Sequence, residues 1–256
     1  MPSVTFLGTG PGTGLPGKGQ SSILLMTPGA NVLLDAGEPC TGRLLTQGFP
    51  LPDLDSVWVT HAHPDHIGGL PMLFQASSAH GRKEPLSLGL PGHLVDPLAG
   101  WLNAILLPPE IVAFPLDVFS WRVGETKTLV DLSVTPWLTT HLDEARRQTG
   151  RTDLESFFFD IRAAGRRVIY SGDIGAASDL ALALQEPVDV LICELAHIKL
   201  KELAALLAPV RIGMLCLTHV GASFDDSRGE IQEELGEKLP LVDAIYLPED
   251  GERFEF

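Results

Sequence analysis

The sequence predicts an α/β protein in which helices pack over β-sheets. Strand-like apolar runs that end in a polar residue alternate with helix-like stretches through both halves of the chain, the pattern of helices layered on sheets. The composition, 45% hydrophobic and 20% charged, is that of an ordinary globular protein. No internal repeat is visible, and no stretch is rich enough in Gly, Ser or charge to split the chain, so residues 1–256 read as one domain.

Residues 4–8 read as an opening strand that runs into a glycine-rich loop, residues 8–19. Gly12 to Lys18 has the Walker A spacing up to its lysine, but Gly19 stands where a Ser or Thr hydroxyl would have to hold magnesium. A phosphate loop also needs a helix next, whereas Ser22–Met26 reads as another strand. The loop is therefore either a flexible segment near a functional site or a surface turn. Asn31-Val32-Leu33-Leu34 reads as a strand ending in Asp35 and a turn, a place from which a carboxylate could hydrogen-bond the far nitrogen of a metal-bound histidine. Residues 53–59 and 86–90 read as short strands flanking a helix near 68–80. Pro91-Gly92-His93 opens a helix through Trp101 and Ile105, with His93 as a capping or surface residue. Residues 106–122, apolar and interrupted by Pro108, Pro109 and Pro115, read as a lid or a dimer surface.

Residues 132–140 are strand-like and end in His141; residues 143–153 are charged and helix- or loop-like; residues 156–161 form the next strand. Arg166 and Arg167 read as a turn, and residues 168–170 as a strand with Asp173 at its exposed end. Val188–Glu194 reads as a buried strand continuing into Leu195-Ala196-His197, and Leu200–Leu207 as a helix. Residues 211–217 make the last long strand, which delivers Thr218-His219-Val220-Gly221.

The densest chemistry lies in Thr60-His61-Ala62-His63-Pro64-Asp65-His66-Ile67-Gly68-Gly69, which packs three histidines and an aspartate into six positions between a strand and a helix. Imidazole nitrogen and carboxylate oxygen suit zinc and related divalent metals. His61 and His63 are two apart, so in an extended segment they share a face. Four ligands in one tight loop are too many for a single zinc that keeps an open position. The spacing suits two metals, with His61 and His63 on one and Asp65 and His66 on the other.

His61-x-His63-x-Asp65-His66 resembles the signature of the metallo-β-lactamase-fold hydrolases. The resemblance implies a four-layer αββα sandwich of two mixed sheets with helices on both outer faces. It extends along the chain: His141 matches the family's third histidine, Ser171-Gly172-Asp173 the phrase that carries its bridging aspartate, and His219 its final ligand. The implied set is His61, His63 and His141 for one metal and Asp65, His66 and His219 for the second, with Asp173 bridging. Every family ligand position is filled, unlike in relatives that have lost ligands. His63 also stands where the diiron flavoprotein branch has a glutamate. Two such ions, zinc or alternatively manganese or iron, would hold a hydroxide between them, with Asp65 accepting its hydrogen bond and aiming it.

Phe6-Leu7-Gly8-Thr9-Gly10 and Asp35-Ala36-Gly37-Glu38 resemble the opening of the ribonuclease Z-like branch, in which the aspartate supports the metal site. That branch and the cyclic phosphodiesterases also place an extra histidine before the last ligand, where it protonates the leaving oxygen. His197, 22 residues before His219, fits that place, with Glu194 orienting it by analogy. The chain departs from ribonuclease Z in two respects. It has no basic insertion of the kind that grips tRNA, and Ile198-Lys199 follows His197 where the branch has Ser-Thr.

The net charge of −15 argues against a broad nucleic-acid surface but not against a small phosphorylated substrate at a metal site. Cys40, Cys193 and Cys216 are odd in number and lack a C-x-x-C pattern, so no disulfide is expected. No apolar run approaches the roughly 20 residues of a membrane span, and no signal-peptide layout opens the chain, so a cytoplasmic location is expected. The expected function is hydrolysis of a small or cyclic phosphodiester. The alternatives are a ribonuclease Z-like endonuclease, a hydrolase of esters, thioesters or lactones, and a non-catalytic metal-binding module. The resemblance also implies a homodimer, with residues 98–121 as the candidate surface.

Overall fold

In the computed structural model, which describes residues 1–108, 110–221 and 227–256, fourteen strands form two mixed sheets of seven. The first sheet holds β1 (Ser3–Gly8), β2 (Ser22–Met26), β3 (Asn31–Leu34), β4 (Ser56–Trp58), β5 (Leu86–Leu90), β6 (Leu116–Ser120) and β14 (Arg253–Glu255), in the order β14-β1-β2-β3-β4-β5-β6. The second holds β7 (Lys127–Leu129), β8 (Leu132–Leu138), β9 (Phe157–Ala163), β10 (Arg166–Tyr170), β11 (Val188–Glu194), β12 (Ile212–Thr218) and β13 (Val242–Tyr246), in consecutive order across the sheet. Strands β3 to β6 run parallel, as do β10 to β13.

The period of two along each strand sends alternate side chains to different layers. From β10 and β11, Val168, Tyr170, Val190 and Ile192 enter a core between the sheets, together with Phe6, Leu34, Trp58 and Phe159. Ile169, Leu191 and Cys193 point the other way, onto α6 (Leu200–Leu207) and α7 (Arg228–Lys238). The outer face of the first sheet packs on α1 (Cys40–Thr46), α3 (Leu70–Ala79) and α4 (Gly92–Ala104) through Leu44, Leu73, Phe74, Leu98 and Leu102. The architecture is thus the four-layer sandwich with helices on both outer faces. Because β10 and β11 are covered on both sides, they read as continuous apolar runs rather than alternating ones.

Several local expectations need correction. Arg166 and Arg167 lie in β10 rather than in a turn. Arg167 is buried because its guanidinium pairs with Asp160 at 2.6 Å and donates to the carbonyls of Ala183, Glu186 and Pro187. Residues 51–53 form a short 3-10 helix, so the strand read over 53–59 begins only at Ser56. Part of the stretch 106–122 is strand β6, hydrogen-bonded to β5; its Pro109 lies outside the described residues.

Arg82 carries no signal in the sequence yet fastens the turn after α3 to the entry of β4. It is buried and donates to the carbonyls of Pro52, Leu54, Glu84 and Pro85 at 2.5–3.0 Å. Arg82→Ala would leave the buried Leu54 carbonyl unpaired and loosen the three more exposed ones, and is expected to cost about 1–3 kcal/mol in urea unfolding. A loss under about 0.5 kcal/mol, the range of ordinary surface substitutions, would show that the staple is dispensable.

Candidate metal centre

Strands β3, β4, β8, β10, β11 and β12 all end at one edge of the sandwich, and the residues that follow them converge there. Ligands in open α/β sheets gather outside the carboxyl ends of the strands. After β4, His63 caps α2 (Pro64–Ile67) from an extended conformation, and Pro64 fixes the first helical φ. This turn sets Asp65 and His66 on the helix while His61 and His63 stay on the extended segment before it.

The ring nitrogens of His61, His63 and His141 face one another. His63 Nδ1 lies 3.0 Å from His61 Nε2 and 3.1 Å from His141 Nε2. Asp173 Oδ2 stands 3.7 Å from His61 Nε2, 3.6 Å from His141 Nε2 and 3.5 Å from His219 Nε2, while Asp173 Oδ1 is 3.3 Å from His66 Nε2. Asp65 Oδ2 sits 3.5 Å from His66 Nε2 and 3.7 Å from His219 Nε2. The donors therefore fall into two sets that share Asp173: His61, His63, His141 with Asp173, and Asp65, His66, His219 with Asp173. Within each set, the possible ligand atoms lie within 4.8 Å of one another.

These sets fit divalent cations. Among the described residues, His66 Nε2 and both oxygens of Asp173 are buried without a hydrogen-bond partner, an expensive arrangement unless a cation takes the lone pairs. The opposite ring nitrogens are committed elsewhere. His66 Nδ1 donates to Asp35 Oδ2 at 2.7 Å, His219 Nδ1 pairs with Ser21 Oγ at 2.8 Å, and His61 Nδ1 pairs with Thr60 Oγ1 at 3.1 Å. Each contact leaves Nε2 aimed inward, which fixes the ligating tautomer.

Charge is arranged to match. Burial lowers the pKa of His61, His63 and His219 and brings His141 down to about 4, so these rings are neutral, the form that ligates. Burial acts the same way on His66, but Asp173 and Asp35 outweigh it and raise that group, so a cation binding there displaces the Nε2 proton. Burial would raise Asp173, but His66 and His219 hold it as a carboxylate.

Asp35 is buried beneath the histidines. It accepts from Thr60 N, Thr60 Oγ1, His66 Nδ1 and the Tyr170 hydroxyl, all at 2.7–2.8 Å. Asp35 and His219 both sit at positive φ, 55° and 54°, and their hydrogen bonds hold them there. Gly172, at φ 50°, lets the Asp173 loop pass Thr60, where a Cβ would meet the threonine side chain at 2.7 Å. Ser21 and Tyr170 escaped sequence reading. Their partners lie 198 and 135 residues away, and nothing local marks them.

A pocket of about 350 Å³ opens over the cluster, with His63, Asp65, Asp173 and His219 in its floor. Pro11, Gly12 and Thr13 of the glycine-rich loop line it, so that loop borders the site. His197 also lines it, with its side chain 39% exposed. His197 Nδ1 is 3.4 Å from Glu194 Oε1 and 3.6 Å from Asp173 Oδ2. Glu194 is buried and accepts from the backbone of Ile174, Ala196 and His197. His93 does not join the cluster; at the start of α4 it accepts from Glu155 N at 3.3 Å.

Residues 30–220 match the family model of the beta-lactamase superfamily domain. The chain belongs to the beta-lactamase superfamily. It is a hydrolase of the metallo-beta-lactamase fold. It is 24% identical to a protein named ribonuclease Z from Gemmatimonas aurantiaca, over 93% of this chain and 91% of that one. Among solved structures, it is similar to the metallo-beta-lactamase fold protein YhfI from Bacillus subtilis (TM-score 0.78, 19% identity, all of both chains). It is also similar to a diphosphatase from the PhnP family (TM-score 0.71, 19% identity, 100% of this chain and 98% of that one). Among the described residues no helix is long and apolar enough to cross a membrane.

Proposed function

We propose that the protein is a phosphodiesterase of small or cyclic phosphodiesters that works with two divalent cations, zinc first among those the donors suit. His61, His63 and His141 would hold one cation, Asp65, His66 and His219 the other, and Asp173 both. When bound, the pair supplies a water acidified to a pKa near 7 and stabilises charge that develops on the phosphoryl oxygens. Asp65 accepts a hydrogen bond from the attacking water and aims it. Asp35 holds the His66 ring in the ligating tautomer.

The observation that carries the phosphodiester reading is His197 at the pocket's edge, backed by Glu194. The Glu194 carboxylate, 3.4 Å from Nδ1, raises the imidazole's pKa against the lowering by partial burial, and so keeps a proton available. An alkoxide leaves poorly without a proton, and in this reading His197 gives one. The related proteins named ribonuclease Z and diphosphatase support hydrolysis at phosphorus. Ribonuclease Z relatives matched over nine-tenths of the chain also favour a second reading, an RNA endonuclease. The net charge of −15 weighs against it, because RNA affinity comes mainly from neutralising phosphates.

His197→Ala is expected to lower kcat/KM for diesters with alkyl leaving groups by about 10²–10⁴, but only a few-fold for p-nitrophenyl diesters, whose leaving group needs no acid. Equal losses on both substrates would remove His197 from the acid role. A panel of phosphodiesters, cyclic nucleotides, tRNA precursor, thioesters and lactones separates the readings. Turnover of thioesters or lactones alone would favour the carbon-ester hydrolase, and no turnover of any of them a metal-binding module. We further read residues 1–256 as one domain of a cytoplasmic homodimer paired through residues 98–121. There Ile105, Leu106 and Ile111 are 45%, 85% and 65% exposed.

A further inference from the structure

We propose that Asp250, outside the pocket, is a positioning residue that sets the pocket wall made by the glycine-rich loop and thereby governs substrate binding. Its side chain is only 7% exposed and its two oxygens take four donors from three parts of the chain. Oδ1 accepts from Thr9 N and Thr9 Oγ1, each at 2.9 Å. Oδ2 accepts from Gly19 N at 2.5 Å and from Arg43 Nη2 of α1 at 3.0 Å. Thr9 and Gly19 are the two ends of the loop, and Gly10 N donates to Gly19 O at 2.8 Å between them. One carboxylate therefore closes the neck of the loop.

Beyond the neck the loop turns back on itself. Gly14 N donates to Pro11 O at 2.9 Å, Lys18 N to Leu15 O at 3.1 Å, and Arg43 Nη2 adds a bond to Gly17 O at 3.2 Å. The tip reaches the pocket at Pro11, Gly12 and Thr13. Gly12 lies so close to Asp65 that a Cβ there would stand 2.7 Å from its Oδ2. A small displacement of the neck thus moves a wall already in contact with the metal-site carboxylate. The turn that carries Asp250 is itself fixed to β1, with Gly251 N donating to Phe6 O and Phe6 N to Glu252 O at 2.6 and 2.9 Å. The clamp therefore transmits the position of the sheet to the pocket, and it uses the carboxy-terminal segment to do so.

Asp250→Asn tests this, because whichever way the amide is turned its NH₂ meets two donors and half of the clamp opens. Hydrogen exchange should quicken by about tenfold or more at the amides of residues 10–19, with β10, β11 and β12 unchanged. Its kinetic arm rests on the phosphodiesterase reading. With bis-p-nitrophenyl phosphate, KM is expected to rise roughly fivefold or more while kcat stays within about twofold and bound zinc is unchanged. Arg43→Met removes one donor and should move both readouts the same way by less, and it carries the test should Asp250→Asn fail to fold. Unaltered exchange at 10–19, or a fall in kcat at constant KM, would overturn the proposal. If the unmodified protein hydrolyses no phosphodiester, the functional reading fails while hydrogen exchange still decides the role of Asp250.

Discussion

Asp173→Asn is expected to abolish binding of the two proposed cations and to lower hydrolysis by roughly a thousandfold or more. The expectation follows from its place in both donor sets, with Oδ1 toward His66 and Oδ2 toward His61, His141 and His219. Asparagine keeps the shape but removes the negative charge and puts an NH₂ where an oxygen lone pair stands. The contrast with His141→Ala makes the test sharp. His141 belongs to one set only, so its loss should cost about one equivalent of zinc and leave the other bound. Zinc content by mass spectrometry, measured with activity, reads both variants. If Asp173→Asn keeps two equivalents, the carboxylate is not shared.

The second large effect is expected at Asp35. Asp35→Ala removes the acceptor of four buried or backbone donors at once: Thr60 N, Thr60 Oγ1, His66 Nδ1 and the Tyr170 hydroxyl. Each unpaired buried donor costs about 1–3 kcal/mol, and partial relaxation brings the total to about 3–5 kcal/mol. Zinc affinity should also fall about 10–100-fold, because the His66 ring loses its orienting partner. Asp35→Asn should be milder. Asparagine tolerates the positive φ of 55°, and its carbonyl can take the three donors that meet Oδ2, leaving the amide opposite Thr60 N. Urea unfolding of the metal-free protein and competition with a zinc chelator separate the two effects. Losses under about 1 kcal/mol and threefold in affinity for the alanine variant would show that Asp35 is a bystander.

How much of this was legible depends on how far apart the interacting residues lie. The 61–66 loop declares itself because four metal-ligating side chains crowd one strand-to-helix junction. His141, Asp173 and His219 are single polar residues after apolar strands, and they became visible only against the family pattern. The structure brings all of them to one edge because β8, β10 and β12 run in the same direction as one another. Tyr170 looked like part of an apolar strand; its ring does lie in the core, and only its hydroxyl reaches Asp35. Ser21 and Asp250 gave no signal, since a serine before a strand and an aspartate in a polar turn are ordinary residues until a distant partner arrives. The doublet Arg166-Arg167 misled because charge usually marks a turn, whereas here Arg167 is buried by pairing with Asp160. β14 pairs with β1 from the far end of the chain through Arg253, Phe254 and Glu255, too short and too polar to show a strand period.

The most direct measurement is zinc anomalous diffraction from crystals of the zinc-reconstituted protein. Two peaks are expected, one among His61, His63 and His141, the other among Asp65, His66 and His219, with the Asp173 carboxylate touching both. A single peak, or density away from Asp173, would contradict a shared two-cation centre and with it the chemistry assigned to the pocket.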